Sequence, residues 1–200
     1  MINADLHIHT IYSADAVIQP KTLIDLLVSH SFIKVAAVTD HDSVRGCRAT
    51  VELASAYPDI LIIPGVEIST TQGDVLILGT DELPPKPWTP EVVVDFAKSI
   101  DGVSVAAHPF RMYGLGKNIY DYKLDAIEVQ NGGSSSEANA QAKILARSLG
   151  LPGTAGSDAH NISELFSVFN KVNASLNVDS ILQSIKKGQV TTQVTRGSKH

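Results

Sequence analysis

Five of the seven histidines, with several carboxylates, stand where short apolar runs end. Asp5-Leu6-His7-Ile8-His9 alternates polar and apolar residues, so on a strand Asp5, His7 and His9 share one face. Two imidazoles on one face, about 7 Å apart at the backbone, can converge on one ion. Similar ends follow at Thr39-Asp40-His41-Asp42, Pro64-Gly65-Val66-Glu67, Ala107-His108-Pro109, Glu128-Val129-Gln130-Asn131 and Gly156-Ser157-Asp158-Ala159-His160. Asp158 and His160 repeat the two-residue spacing. Imidazole and carboxylate without thiolate suit Mn²⁺, Zn²⁺ or Fe²⁺. The candidate ligands are His7, His9, Asp15, His41, Glu67, His108, Asp158 and His160. They exceed the roughly four to six that one ion takes, so two or three divalent metal ions are expected. Asp5, Asp40 and Asp42 read as acceptors that orient the histidines and their loops.

Such a cluster forms only if the fold gathers those ends. Apolar strand-like runs at 4–9, 32–39, 59–66, 75–79, 103–107 and 125–129 alternate with helical stretches at 20–30, 44–57, 89–101 and 134–149. A short strand leads into Gly156, and a strand, a helix and a strand follow near 168–174, 178–187 and 190–195. Pro20 and Thr89-Pro90 are helix starts, and Gly150 with Pro152 beyond it is a stop. Repeated strand–helix units with strands buried on both faces imply an α/β fold around a parallel sheet, whose C-terminal strand ends meet at one face. The elaborated loops at 82–88 and 111–118 follow strands, where sites are often lined. His30, Cys47 and Trp88 read as structural residues, and His200 has no sequence context.

Composition bounds the rest. Two hundred residues, 44% hydrophobic and 18% charged, fit one compact domain over 1–200. A formal charge of −5 argues against a general nucleic-acid or acidic-membrane binder. A single cysteine excludes an intrachain disulfide framework. No apolar run suits a membrane span, and the N-terminus lacks a secretory pattern, so a cytoplasmic protein with no obligate protein partner is expected.

The motifs D-L-H-I-H-T-x-Y-S-x-D at 5–15, T-D-H-D at 39–42, P-G-V-E-I-S at 64–69, A-H-P at 107–109, I-E-V-x-N at 127–131 and G-S-D-A-H at 156–160 resemble, in order, those of the PHP (polymerase and histidinol phosphatase) family. Within it they look closest to the branch of 3′,5′-nucleoside bisphosphate phosphatases and 5′→3′ exoribonucleases. The resemblance implies a distorted (β/α)₇ TIM-like barrel, with the metal-site motifs at 5–160 and a C-terminal closure at 161–195. It implies one metal held by His7, His9, Glu67 and Asp158. Glu67 would bridge to a second, shared with His108 and with Asn131, whose position in the family is taken by His, Asn or Cys. Asp15, His41 and His160 would hold a third.

The activity so implied is phosphoric ester hydrolysis by a metal-activated hydroxide, with His7, His9, Glu67, His108, Asp158 and His160 as its catalytic set. Arg111, three residues after His108, is the candidate phosphate clamp, with Lys117 beside it. The expected partner is a small phosphorylated substrate, nucleotide-like or not. A nucleic-acid end-processing exonuclease acting on short ends, or a low-activity module with a structural metal site, are the alternative readings.

Overall fold

The computed structural model describes residues 1–195, so His200 lies outside the described residues. Its strands are β1 (Ile2–Ile8), β2 (Val35–Val38), β3 (Leu61–Thr70), β4 (Gly73–Leu78), β5 (Val103–Ala106), β6 (Ala126–Asn131), β7 (Gly153–Gly156), β8 (Val168–Val172) and β9 (Val190–Val194). The helices are α1 (Pro20–Ser29), α2 (Arg45–Ala54), α3 (Pro90–Ser99), α4 (Ser136–Leu149) and α5 (Val178–Lys186). None is long and apolar enough to cross a membrane. The helices begin and end as local chemistry dictates. Pro20 and Pro90 occupy first turns, where a missing N–H costs nothing. Ser135 caps α4 by accepting from the Ala138 N–H, and Gly150 closes it with a φ of 66°.

The nine strands form one sheet in the order β7-β6-β5-β4-β3-β2-β1-β8-β9. β1, β2 and β3 run parallel, as do β5, β6 and β7, while β4 is antiparallel to both its neighbours. This mixed sheet departs from seven repeated strand–helix units. The chain turns directly from β3 into β4 through Thr71-Gln72, and a hairpin needs no crossover helix. β8 and β9 are likewise antiparallel additions on the far side of β1.

The sheet curls until β7 reaches β1, giving a nearly closed barrel shape. The Asn170 side chain from β8 bonds both the N–H and the carbonyl of Ala155 at 2.8 and 2.6 Å, and the Ala4 carbonyl at 3.0 Å. Just beyond, Asp158 N–H donates to the His7 carbonyl at 2.8 Å and His9 N–H to that of Ala159 at 3.0 Å. These bonds tie the last motif to the first across the seam.

Two apolar clusters lie on opposite faces, as β2 shows: Ala36 and Val38 join one, Val35 and Ala37 the other. The first packs against Leu23 and Leu27 of α1, Cys47 of α2, Val93 of α3 and Leu145 of α4. The second draws on β1 to β6 and β8, and α5 supplies Ile181, Leu182 and Ile185 to it. Ile63 and Leu76 belong to this concave face, so the alternate positions Glu67 and Asp74 continue it toward the site. Trp88 anchors its loop by donating Nε1–H to the Pro84 carbonyl at 3.1 Å.

Candidate metal centre

β1 delivers His7 and His9 side by side and fully buried. Their Nε2 atoms are 3.0 Å apart. Glu67 Oε2 lies 3.0 and 3.1 Å from them, and Asp158 Oδ1 3.4 and 3.2 Å. Four donors about 2.0–2.1 Å from one ion in a tetrahedron stand roughly 3.3 Å apart, close to this spacing. Two orienting contacts fix which nitrogen faces inward. His7 Nδ1 pairs with Glu128 Oε1 at 3.0 Å, so its proton sits there and the Nε2 lone pair points into the cluster. Ser13 Oγ donates to Asp40 at 3.1 Å, accepts from the His41 N–H at 2.9 Å, and therefore accepts from His9 Nδ1 at 3.1 Å. His9 thus also turns its Nε2 lone pair inward.

Two further groups adjoin the first. His9, His41 and His160 form one, with ring centroids of His9 and His160 4.3 Å apart. Asp15 stands on its solvent side, its Oδ2 3.3 Å from His160 Nε2 and 3.8 Å from His41 Nε2. Glu67, Asp74 and His108 form the other. Glu67 joins both sides: Oε2 faces His7, His9 and His41, while Oε1 meets His108 Nε2 at 3.0 Å. The buried Nδ1 of His108 has no hydrogen-bond partner among the described residues, and that of His41 meets only Glu67 Oε2, at 3.3 Å and outside hydrogen-bond geometry, arrangements that cost free energy unless another group approaches. The residues fit divalent cations: lone pairs converge, carboxylates supply charge, and orphaned nitrogens remain.

Strand ends place these groups in unusual backbone conformations. Asp42, His108 and Asp158 have positive φ values of 52°, 24° and 55°, a cost that the surrounding bonds must offset. Asp42 accepts from the Ser69 N–H at 2.9 Å, and Glu128 Oε2 accepts from the His108 N–H at 2.8 Å. Asp5 accepts from Ser157 and Phe166 N–H groups at 2.9 and 3.2 Å. Gly156 lets β7 approach β1, since a Cβ there would lie 2.2 Å from that of His7.

The crowding of like and unlike charge shifts the titrations. Burial alone would depress His7, but the carboxylates of Glu67, Asp158 and Glu128 outweigh it and hold its pKa well above the usual value. His9, buried against Asp158 and Glu67, is pushed up to about 9. Burial lowers His41, with Glu67 opposing. Glu67 and Asp158 resist burial through their histidine contacts and fall well below the ordinary carboxylate range. Asp74, raised first by burial and then by Glu67, reaches about 7. In the metal-free chain, protonated imidazoles balance the carboxylates.

A cavity of about 770 Å³ opens over these groups, lined in part by Asp15, His41, Asp74, His108, Asp158 and His160. Arg111 is on its wall with its guanidinium hydrogen-bonded to Asp158, and the exposed Met112 and Tyr113 stand at its rim. Lys117 is not among the lining residues. It is exposed on the 3₁₀ turn Gly116–Asp121, because Gly116 N–H bonds back to the Pro109 carbonyl at 2.8 Å and folds that loop away. Asn131 lies beside the first group, next to Asp158. Its Nδ2 donates to Glu128 and Asp158 at 3.0 and 3.2 Å, and its Oδ1 accepts from Gly133 N–H and Ser134 Oγ at 2.9 and 3.0 Å. Sequence reasoning missed Glu128 and Asp74. The alternation of I-E-V gave a signal for the first, while Asp74 was hidden beside the Gln72-Gly73 turn.

Residues 136–190 match a family model described as PHP-associated. The chain is also 34% identical over 142 residues to an uncharacterized protein of Methanocaldococcus jannaschii, which covers 65% of this chain and 82% of that relative. The chain belongs to the same family as this relative, and its 136–190 stretch is PHP-associated. Its fold is similar to an amidohydrolase from Chromobacterium violaceum solved with sulfate and no metal (TM-score 0.70, 17% identity, 94% of this chain and 97% of that one). PsfC from Pseudomonas syringae is similar too (TM-score 0.70, 20% identity, 97% and 91%). So is a candidate metal-dependent phosphoesterase from Bifidobacterium adolescentis (TM-score 0.64, 17% identity, 78% and 87%). The PHP-associated match spans α4 to β9, the part that brings Gly156-Ser157-Asp158-Ala159-His160 to the seam.

Proposed function

We propose that the chain is a metal-dependent phosphoesterase that hydrolyses a phosphate monoester of a small molecule or nucleotide. The observation that carries this reading is the shared Glu67, whose two oxygens face two donor groups beneath one cavity with a guanidinium on its wall. Divalent ions held there would lower the pKa of water toward neutrality and neutralise the phosphoryl oxygens. His7 and His9 hold their Nε2 lone pairs inward because Glu128 and Ser13 take the Nδ1 protons. Asp158 ties the first group to the cavity, and it holds the Arg111 guanidinium where two N–H groups can meet a phosphoryl dianion. The similar Chromobacterium violaceum structure holds sulfate, a tetrahedral anion of phosphate's shape. His160, fixed by Nδ1–H donation to the Asp158 carbonyl at 2.8 Å, presents Nε2 to the cavity side.

The test is a panel of phosphate monoesters, a short 5′-phosphorylated RNA, carboxylic esters and amides. Purified protein is assayed after chelation and again with Mn²⁺ or Zn²⁺ restored. Phosphate release that disappears on chelation and returns with metal is expected. Metal-loaded protein that releases no phosphate overturns the reading. Amide hydrolysis alone would move the chain to the chemistry named for one of its structural neighbours.

A further inference from the structure

Asp74 is the charged group at the site that its protein surroundings leave unsatisfied. It is 6% exposed. Among the described residues its carboxylate accepts no hydrogen bond and forms no ion pair, whereas Asp5, Asp40, Glu67, Glu128 and Asp158 all do one or the other. Its backbone is rigidly placed: the N–H donates to the Tyr113 carbonyl at 2.7 Å, and the carbonyl accepts from Ala107 N–H at 3.3 Å. Glu67 lies opposite Leu76 in the β3–β4 hairpin, so Asp74, two residues earlier, projects from the same face. There it brings a carboxylate oxygen within 4.8 Å of ligand atoms on Glu67 and His108. Its side chain opens on the cavity with no protein donor, and a cation seated there would be its natural partner.

We infer that Asp74 is the third protein ligand of the second metal ion, in the role that family resemblance assigns to Asn131. The inference rests on the metal-dependent reading of the site. Asn131 has spent both ends of its amide on Glu128, Asp158, Gly133 and Ser134, so it braces the cluster from outside. Asp74, Glu67 and His108 offer two carboxylates and one imidazole, against two imidazoles and one carboxylate in the set of His41, His160 and Asp15. The oxygen-rich set suits Mn²⁺, while the imidazole-rich set suits Zn²⁺ or Fe²⁺. Asp74 thereby makes the second position the Mn²⁺-preferring one of the centre.

The experiment is equilibrium dialysis of the full chain against Mn²⁺ with elemental analysis, which reads ion count without activity. Asp74→Asn keeps the side-chain shape, and Asp74→Ser repeats the test with a smaller group; melting curves establish that each is folded. Each is expected to bind one Mn²⁺ fewer than the wild type at the same free concentration, an affinity loss of roughly 100-fold or more at that position. Folded Asn131→Ala is expected to keep the wild-type count. Wild-type count and affinity in both Asp74 variants overturn the inference alone, as does loss of the ion only in Asn131→Ala. A wild-type chain that binds no divalent ion removes the phosphoesterase reading as well.

Discussion

Stripping metal from the protein and raising the pH should destabilise it, because protonated histidines then stand in for the cations. His9 Nε2 lies 3.1 Å from Glu67 and 3.2 Å from Asp158, fully buried, and its pKa rises from 6.5 to about 9. A histidine with a raised folded pKa binds more protons folded than unfolded. Its stabilisation is complete below pH 6.5 and lost as pH climbs through about 9. At about 1.4 kcal/mol per unit, this single group contributes on the order of 3 kcal/mol. Glu67 and Asp158 report the same contacts from the other side, so their shifts are not added. For a domain of this length, about 3 kcal/mol moves the melting temperature by roughly 6–12 °C. Asp5 and Asp74, pushed up to about 6 and about 7, act in the same direction over a lower window. Metal-loaded protein should behave oppositely, since protons compete with ions for the same lone pairs and release them as pH rises. Differential scanning calorimetry between pH 6.5 and 9, with and without chelator, measures both. A chelated protein whose melting temperature is flat or rises across that range would refute the argument.

Glu128→Gln removes the anion that orients His7 Nδ1–H and should cost about 10- to 100-fold in metal affinity, read by competition with a chelating dye. Arg111→Ala deletes the cation on the cavity wall and should raise KM for a phosphate ester roughly 10- to 100-fold with the fold unchanged; an unchanged KM would place the phosphate elsewhere. Gly156→Ala sets a Cβ 2.2 Å from that of His7 and should destabilise the protein by about 3 kcal/mol or more, visible in denaturant titration.

The candidate ligands were legible because most sit at the end of an apolar run, and because period-two spacing in His7–His9 and Asp158–His160 is itself a statement about a strand face. What sequence left dark depended on pairing. Whether the chain after Glu67 crosses over or turns back decides between a repeated strand–helix unit and a hairpin, and only the register of β3 with β4 puts Asp74 beside Glu67. The surroundings of Asn131 and Lys117 were not legible from motif spacing. The first bonds Asp158 from beyond β7 as well as its near neighbours Glu128, Gly133 and Ser134, and the second lies on the 3₁₀ turn Gly116–Asp121. The structural reading of Cys47 fits its position: it is buried in α2, and burial pushes its thiol up to about 11.

The central claim is that converging strand ends build a centre for more than one ion. An anomalous-difference map of crystals grown with Mn²⁺ and Zn²⁺ tests it most directly. Separate peaks are predicted within the group of His7, His9, Glu67 and Asp158, beside His41 and His160 with Asp15, and within the group of Glu67, Asp74 and His108. A single peak, or none, in fully soaked crystals would contradict the account.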